Sequence, residues 1–404
     1  LTPHTADHTD VRATNLAAVL GHLRADAPCS RAAIATGTGL NKATVTSIVA
    51  DLITRRLARE TEQTQNHVGR PATLLVLDGS AYAAIGMEVG LRGLTAIAYD
   101  SAGGQLLRWH RSGPGVGATP AKTIAALAAL ARRAISAVHA SGRDVLGLTV
   151  GVPALVDRDG TVVLAAGLGW RDVPLRQDLV TALGRPAFPV MVDNDANLGA
   201  LAEHRYGAFA GTADLIQLSG DTGVGAGVIS DGRPLRGGHG YAGEIGHLRI
   251  QPDGPLCGCG RRGCLEAMAS LPAILARLDQ ADGPETDPQL RTDQLVRRAE
   301  DGDTATLKTL TEVGGLLGQG ISVLVDLLDP ELVVLGGSYA ALGRWLAPAI
   351  EQELTDGALV AVNGRCQVVV SAFGHDAPSI GAVARSLDRL DSGHLPAPPV
   401  HPQP

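Results

Sequence analysis

Aromatic side chains make up only 3% of the 404 residues, so the 45% hydrophobic content comes mainly from Ala, Leu and Val. Long apolar runs are missing as well. The run from Ile124 to Ala131 is cut by Arg132 and Arg133, far short of the ~20 residues a membrane span needs, so no membrane association is expected. The start, LTPHTADHTD, has neither a basic n-region nor an apolar h-region; no export signal is visible and a cytoplasmic location is expected. A strongly basic balance is also lacking, with a net charge of -7. The charge is uneven, however: residues 1–80 carry eight Lys/Arg against seven Asp/Glu, leaving 26 against 34 for the rest. A nucleic-acid contact therefore belongs in the N-terminal segment. The length suits two to three domains of ~150 residues, each able to bury a core.

Cysteine is sparse, five in all, yet three fall together as Cys257, Cys259 and Cys264, with His247 upstream and glycines at 254, 258, 260 and 263. One His and three thiolates complete a tetrahedral zinc shell with no open position, which is a structural rather than a catalytic site. The alternative is a Gly-rich loop with small buried thiols, or half of a disulfide. Bunched thiols in a chain without a secretion signal favour the metal. Glu244 and Glu266 flank the cluster, so the metal would hold both in place.

Taken in order, residues 11–25 have the apolar spacing of an amphipathic helix. Ser30 can cap a short helix through Ala35, a Gly turn follows, and Asn41 can cap a second helix over 42–57 with Val45, Ile48, Val49, Leu52 and Ile53 as its buried stripe. This is the helix-turn-helix pattern. The second helix would enter the major groove by its N-terminal end, presenting Lys42, Thr44, Thr46 and Ser47. Strand-like segments at 57–61 and 73–77 suggest a wing, and Arg70 between Gly69 and Pro71 could reach a narrow minor groove. A small helical module that never touches DNA would show the same periodicity. Arg55, Arg56 and Arg59 read as solvated or phosphate-facing.

Beyond Gly79 the pattern becomes strands at 82–89, 94–99 and 105–109, a helix at 119–140 and a strand at 145–150. A second round comprises strands at 190–192, 215–218, 224–229, 332–335 and 367–371, with helices opening at 195, 264, ~304, 339 and 379. That is an α/β body of two lobes with a cleft between them. Asp195 stands where a strand ends and a helix begins, as a general base, a hydrogen-bond acceptor or merely an N-cap. The loop 219–227, SGDTGVGAG, and the cluster Leu335-Gly336-Gly337-Ser338 can each bind an anion or only meet backbone demands.

With VDNDAN, TGVGAG, GEIGH, CGCGRRGCLE, DPELVVLGG and AFGHDAPSIGA in this order, nearly the whole chain resembles the ROK family of bacterial repressors and sugar kinases. The resemblance implies a winged helix-turn-helix over 1–80 and a two-lobed, actin-like (ribonuclease H-like) sugar-kinase body over 81–392, with a structural zinc site at 247–264. The Pro-rich tail, 393–404, is expected to be disordered. It also implies a sugar site of Asn194, Asp195, Glu244, His247 and Glu266, where the kinases use the position of Asp195 as base. Two departures bear on activity. Where the kinases have Asp-x-Gly-Gly-Thr to receive ATP phosphates, this chain has Glu88-Val89-Gly90-Leu91-Arg92, and Asp221 replaces a glycine of the second phosphate loop. Gly167 replaces an Asn sugar contact.

These features imply a sugar-responsive repressor without kinase activity, a homodimer or tetramer on an inverted-repeat operator. The competing readings are an ATP-dependent sugar kinase that keeps a DNA-binding arm, and a DNA-bound sensor sequestered by a protein partner.

Overall fold

The computed structural model describes residues 8–65, 72–90, 93–113, 118–279, 287–359 and 366–398. Three helices open it: α1 (His8–Asp26), α2 (Arg31–Thr38) and α3 (Lys42–Thr54). Ser30 caps α2 by accepting from the Ala33 N–H at 3.2 Å, and Asn41 caps α3 by accepting from the Thr44 N–H at 2.8 Å. Between them the chain turns at Gly39, whose φ of 71° is the left-handed conformation glycine adopts without strain. Strand β1 (Cys29–Ser30) and the wing strands β2 (Ala58–Gln65) and β3 (Ala72–Leu77) form an antiparallel sheet in the order β1-β3-β2. Arg70 lies outside the described residues.

The first lobe is a five-stranded sheet built from β4 (Tyr82–Gly90), β5 (Gly93–Asp100), β6 (Gln105–Ser112) and β7 (Asp144–Val152), with α4 (Pro120–Ala140) on one face. A small sheet of β8 (Leu155–Val156), β9 (Val162–Ala165) and β10 (Trp170–Val173), then α5 (Leu175–Ala182), precede the fifth strand, β11 (Val190–Asn194). After α6 (Asp195–Tyr206) the second lobe repeats the plan with β12 (Leu215–Gly220), β13 (Val224–Ser230), β14 (Arg233–Pro234), β15 (Leu332–Gly337) and β16 (Gln367–Val370). Its helices are α7 (Glu266–Ala269), α8 (Leu271–Arg277), α9 (Pro288–Glu300), α10 (Thr304–Leu328) and α11 (Ser338–Gly357), and α12 (Ala377–Asp391) returns to the first lobe. The strand orders are β6-β5-β4-β7-β11 and β14-β13-β12-β15-β16. In each lobe the first three strands are antiparallel neighbours and the last two join parallel. The same order in both halves is the two-lobed, actin-like arrangement. Although α10 is long and apolar enough to cross a bilayer, it buries Leu310, Val313, Leu317, Ile321 and Val325 in the second lobe's core.

Between the two sheets lie α12, against the first, and α6, against the second. Backbone approaches backbone here: a Cβ on Gly381 of α12 would sit 1.7 Å from the Leu198 carbonyl of α6, and one on Gly227 of β13 would sit 2.2 Å from the Ala196 carbonyl. These contacts exclude any larger side chain and lock sheet, helix pair and sheet into one stack. The third core joins α1, α2 and α3 to Ala81, Tyr82, Ala84 and Ile97 and to Val383, Leu387 and Leu390 of α12. Packing is therefore continuous across the boundary expected at residue 80.

The tail differs from the expected disorder over 393–398. Leu395 packs against this third core, the Arg55 guanidinium donates to the Pro396 carbonyl, and the Tyr82 hydroxyl donates to the Ala397 carbonyl at 2.7 Å. Pro-rich sequence cannot form a helix, but its carbonyls remain good acceptors and nearby donors use them. Arg55 also pairs with Asp51, and Arg56 donates to Ser80 Oγ at 2.9 Å. Both arginines are half-buried and bond within the protein, while Arg59 is exposed.

Candidate sugar cleft and metal centre

Asn194 and Asp195 stand at the turn from β11 into α6. Contrary to the cap role considered for Asp195, the helix cap is Asn194: its Oδ1 accepts from the Asn197 N–H at 3.0 Å while its Nδ2 donates to the Ala154 carbonyl at 3.0 Å. Asp195 Oδ1 accepts from its neighbour's amide, Ala196 N, at 2.8 Å. Burial pushes its carboxyl up to about 6, and the charge of Asp221 adds to the effect.

Glu244 begins a short turn, Ile245–His247, that lies flat on β13. Gly243 makes this possible, with φ of 98° and a position where a Cβ would meet the Ala226 carbonyl at 2.3 Å. The Glu244 carboxyl is raised to about 7 by loss of solvent and by the charges of Asp195 and Glu266. Glu266 opens α7 and its Oε2 accepts from the Val224 N–H at 3.3 Å. Three carboxyl groups from the β11 turn, the 244–247 turn and α7 thus share one field. A group of acids set this close together offers several acceptors to a ligand rich in O–H donors.

His247, Cys257, Cys259 and Cys264 bring their donor atoms within 4.8 Å of one another. His247 Nδ1 and Cys257 Sγ are 3.7 Å apart, as are Cys259 Sγ and Cys264 Sγ. Ligands at ~2.3 Å around a tetrahedral centre are about 3.8 Å apart along each edge, and disulfide sulfurs are at ~2.05 Å. The cysteines are free thiols with the spacing of a closed metal site. The loop folds back through Cys257 N–H to Arg261 carbonyl at 2.7 Å and Gly260 N–H to Cys257 carbonyl at 2.9 Å. The Cys257 thiol faces Glu266 Oε1 at 3.6 Å, so the centre abuts the acidic cleft directly.

On α3, Lys42, Thr46 and Ser47 are exposed and Thr44 is half-buried, on the side away from Val45, Ile48, Val49 and Leu52. Thr46 Oγ1 donates to the Lys42 carbonyl at 2.7 Å.

Asp193, given no role by the sequence reading, and Asp221 and Glu88, read there only as departures from the kinase phosphate loops, each make contacts far away in sequence. Asp193, only 4% exposed, takes a two-pronged contact from Arg236, which lies beyond β14 in the second lobe, with one N–O distance of 2.8 Å. Asp221 turns the β12–β13 hairpin and accepts from His375 Nε2 at 2.9 Å, Ser338 Oγ at 2.7 Å and Ser338 N–H at 3.3 Å. Glu88 accepts from Ser379 Oγ at 2.8 Å. Pairs so distant in sequence leave no local periodicity to find them by.

The ROK family model matches residues 84–388. A xylose repressor of Bacillus subtilis (strain 168) is 30% identical over 385 residues, 95% of this chain and 98% of that protein. The crystal structure of a ROK family transcriptional regulator, a homologue of the E. coli MLC protein, superposes with a TM-score of 0.79 at 27% identity, covering 95% of this chain and 98% of that one. A ROK family glucokinase from Streptomyces griseus, solved with glucose and AMPPNP, gives a TM-score of 0.63 at 28% identity over 75% of this chain and 98% of its own.

Proposed function

The chain belongs to the ROK family, and from that premise we propose that it is a sugar-responsive transcriptional repressor that binds operator DNA and does not phosphorylate its sugar. The observation that carries this reading is a helix-turn-helix with a free reading face whose core continues into α12, the helix that also packs beside the Asp195 turn. Lys42, Thr44, Thr46 and Ser47, together with Arg70, would contact bases and phosphates. Asn194, Asp195, Glu244, His247 and Glu266 would hold the sugar. A site of several fixed acceptors selects by hydroxyl pattern, since the wrong sugar leaves buried groups unpaired.

Zinc is the ion that fits His247, Cys257, Cys259 and Cys264. With every position filled by protein, it would serve as a brace for Glu244 and Glu266. The repressor would act as a homodimer or tetramer in the cytoplasm, because an inverted-repeat operator needs two reading helices about one helical turn apart.

Loss of kinase activity is supported by Asp221. Helix α11 has no cap from its own sequence, and the carboxylate of Asp221 occupies its N-terminus, the place where a nucleotide phosphate would otherwise be favoured. Glu88 is likewise committed to Ser379. The test is ADP release with Mg-ATP across a panel of pentoses and hexoses, together with operator binding. Turnover that depends on a sugar would establish the kinase reading instead, and operator binding unaffected by every sugar would leave the repressor reading without its effector.

A further inference from the structure

Helix α12 meets the cleft at one end and the DNA-reading segment at the other. At its start, Ser379 holds Glu88 and the preceding His375 holds Asp221. At its end, Asp388 and Asp391 place negative charge at a helix C-terminus, where the macrodipole disfavours it. Cations answer both. Arg205 of α6 pairs with Asp388 at 2.6 Å and with Asp391, Arg385 pairs with Asp388, and Arg24 of α1 approaches Asp391 at 2.7 Å. Arg385 also stands 3.9 Å from Asp193, which Arg236 of the second lobe grips. Charges thus alternate from Arg236 through Asp193, Arg385, Asp388, Arg205 and Asp391 to Arg24, from the sugar turn to α1.

The last link is the one that crosses from α12 to α1. Despite the 2.7 Å approach, Arg24 Nε and Nη2 and Asp391 Oδ1 are buried without an aligned hydrogen bond. Native proteins rarely leave such atoms unsatisfied, and each case calls for an explanation. A contact made by charge without directed bonds has the least to lose when its partners shift. The α6–α12 pair, by contrast, is locked backbone to backbone at Gly381 and Leu198, so a shift of one would carry the other.

We propose that Arg24, Asp391 and Arg205 form the junction through which sugar in the cleft repositions the DNA-reading segment. Sugar at Asn194 and Asp195 shifts the start of α6; α6 carries α12 with it; and the Arg24–Asp391 contact, which joins α12 to α1, yields. This rests on the sugar-response reading above.

The test uses the full chain, operator DNA recovered by in vitro selection, and whichever of D-xylose and D-glucose raises the melting temperature. Arg24→Gln and Asp391→Asn keep side-chain shape, and the double variant closes the cycle. For each, three quantities are measured: sugar affinity, operator affinity without sugar, and the ratio of operator affinities without and with saturating sugar. The wild-type ratio is expected at about 10 or more. Each single variant should bring it within about threefold of unity, the double variant no lower, with sugar affinity unchanged within about twofold. Variants that lose melting temperature or basal operator affinity but keep the wild-type ratio would make the junction mere cement and overturn the proposal. A wild type that binds sugar without any change in operator affinity would instead defeat the sugar-response reading and the junction with it.

Discussion

Burial holds Asp195 protonated up to about 6, while partial desolvation and the charges of Asp195 and Glu266 raise the surface-exposed Glu244 to about 7, and both values lie above those of the unfolded chain. The folded state therefore binds more protons than the unfolded one between about pH 4 and 7, and these groups' contribution to stability falls as pH rises through that window. Asp195→Asn should accordingly flatten the fall in melting temperature from pH 4 to 7, measured against wild type by calorimetry; an unchanged slope would show that the carboxyl is not buried as described. Sugar hydroxyls donating to the ionised carboxylates would lower these equilibria. Binding near pH 6.5 should then release protons, seen as a dependence of calorimetric heat on buffer ionisation enthalpy. Asp195→Ala should abolish the effect of sugar on operator binding while basal operator affinity stays within about twofold of wild type, read by fluorescence anisotropy. At this scale the sequence is most informative where partners are close together. His247 to Cys264 span one loop, and their donors do meet. Asp193 and Arg236 come from different lobes, so only the assembled cleft reveals their contact.

Among the elements, the metal loop and the helix pair carry the clearest mechanical consequences. Cys259→Ser should lose bound metal and, with it, the stabilisation that a ligand present at 1,000 times its Kd supplies, about 4 kcal/mol; metal content by mass spectrometry and a thermal melt would test both. Retained metal together with retained sugar sensitivity would remove the brace role. Gly381→Ala places a Cβ against the Leu198 carbonyl of α6, and a backbone clash in a close-packed stack should cost about 3 kcal/mol or more. Most helices and strands were legible because their apolar periodicity or their caps are local: Ser30 and Asn41 mark α2 and α3 correctly. The strands β8 to β10 are two to four residues long, too short to establish a period. Helix α9 went unread since its sequence, PQLRTDQLVRRAE, is mostly polar, and its identity depends on Leu295 and Ala299 reaching the second core.

On the scale of the molecule, two lobes share one strand order, and the third core ties α1, α2 and α3 to α12. Alternating strands and helices foretold the lobes. Their junction was not foreseeable, because it depends on Val383, Leu387 and Leu390, which in sequence form only one face of a C-terminal helix. Since α3 presents Lys42 to solvent, Lys42→Ala should weaken operator binding about equally across sequences and reduce the salt slope by about 1 if it meets phosphate. The account as a whole claims that occupancy of the cleft, without phosphoryl transfer, governs DNA binding. The direct measurement is operator anisotropy in the absence of any nucleotide, with and without saturating D-xylose or D-glucose. The account predicts that at least one sugar weakens operator binding by about tenfold or more; no response until Mg-ATP is added, accompanied by ADP release, would contradict it.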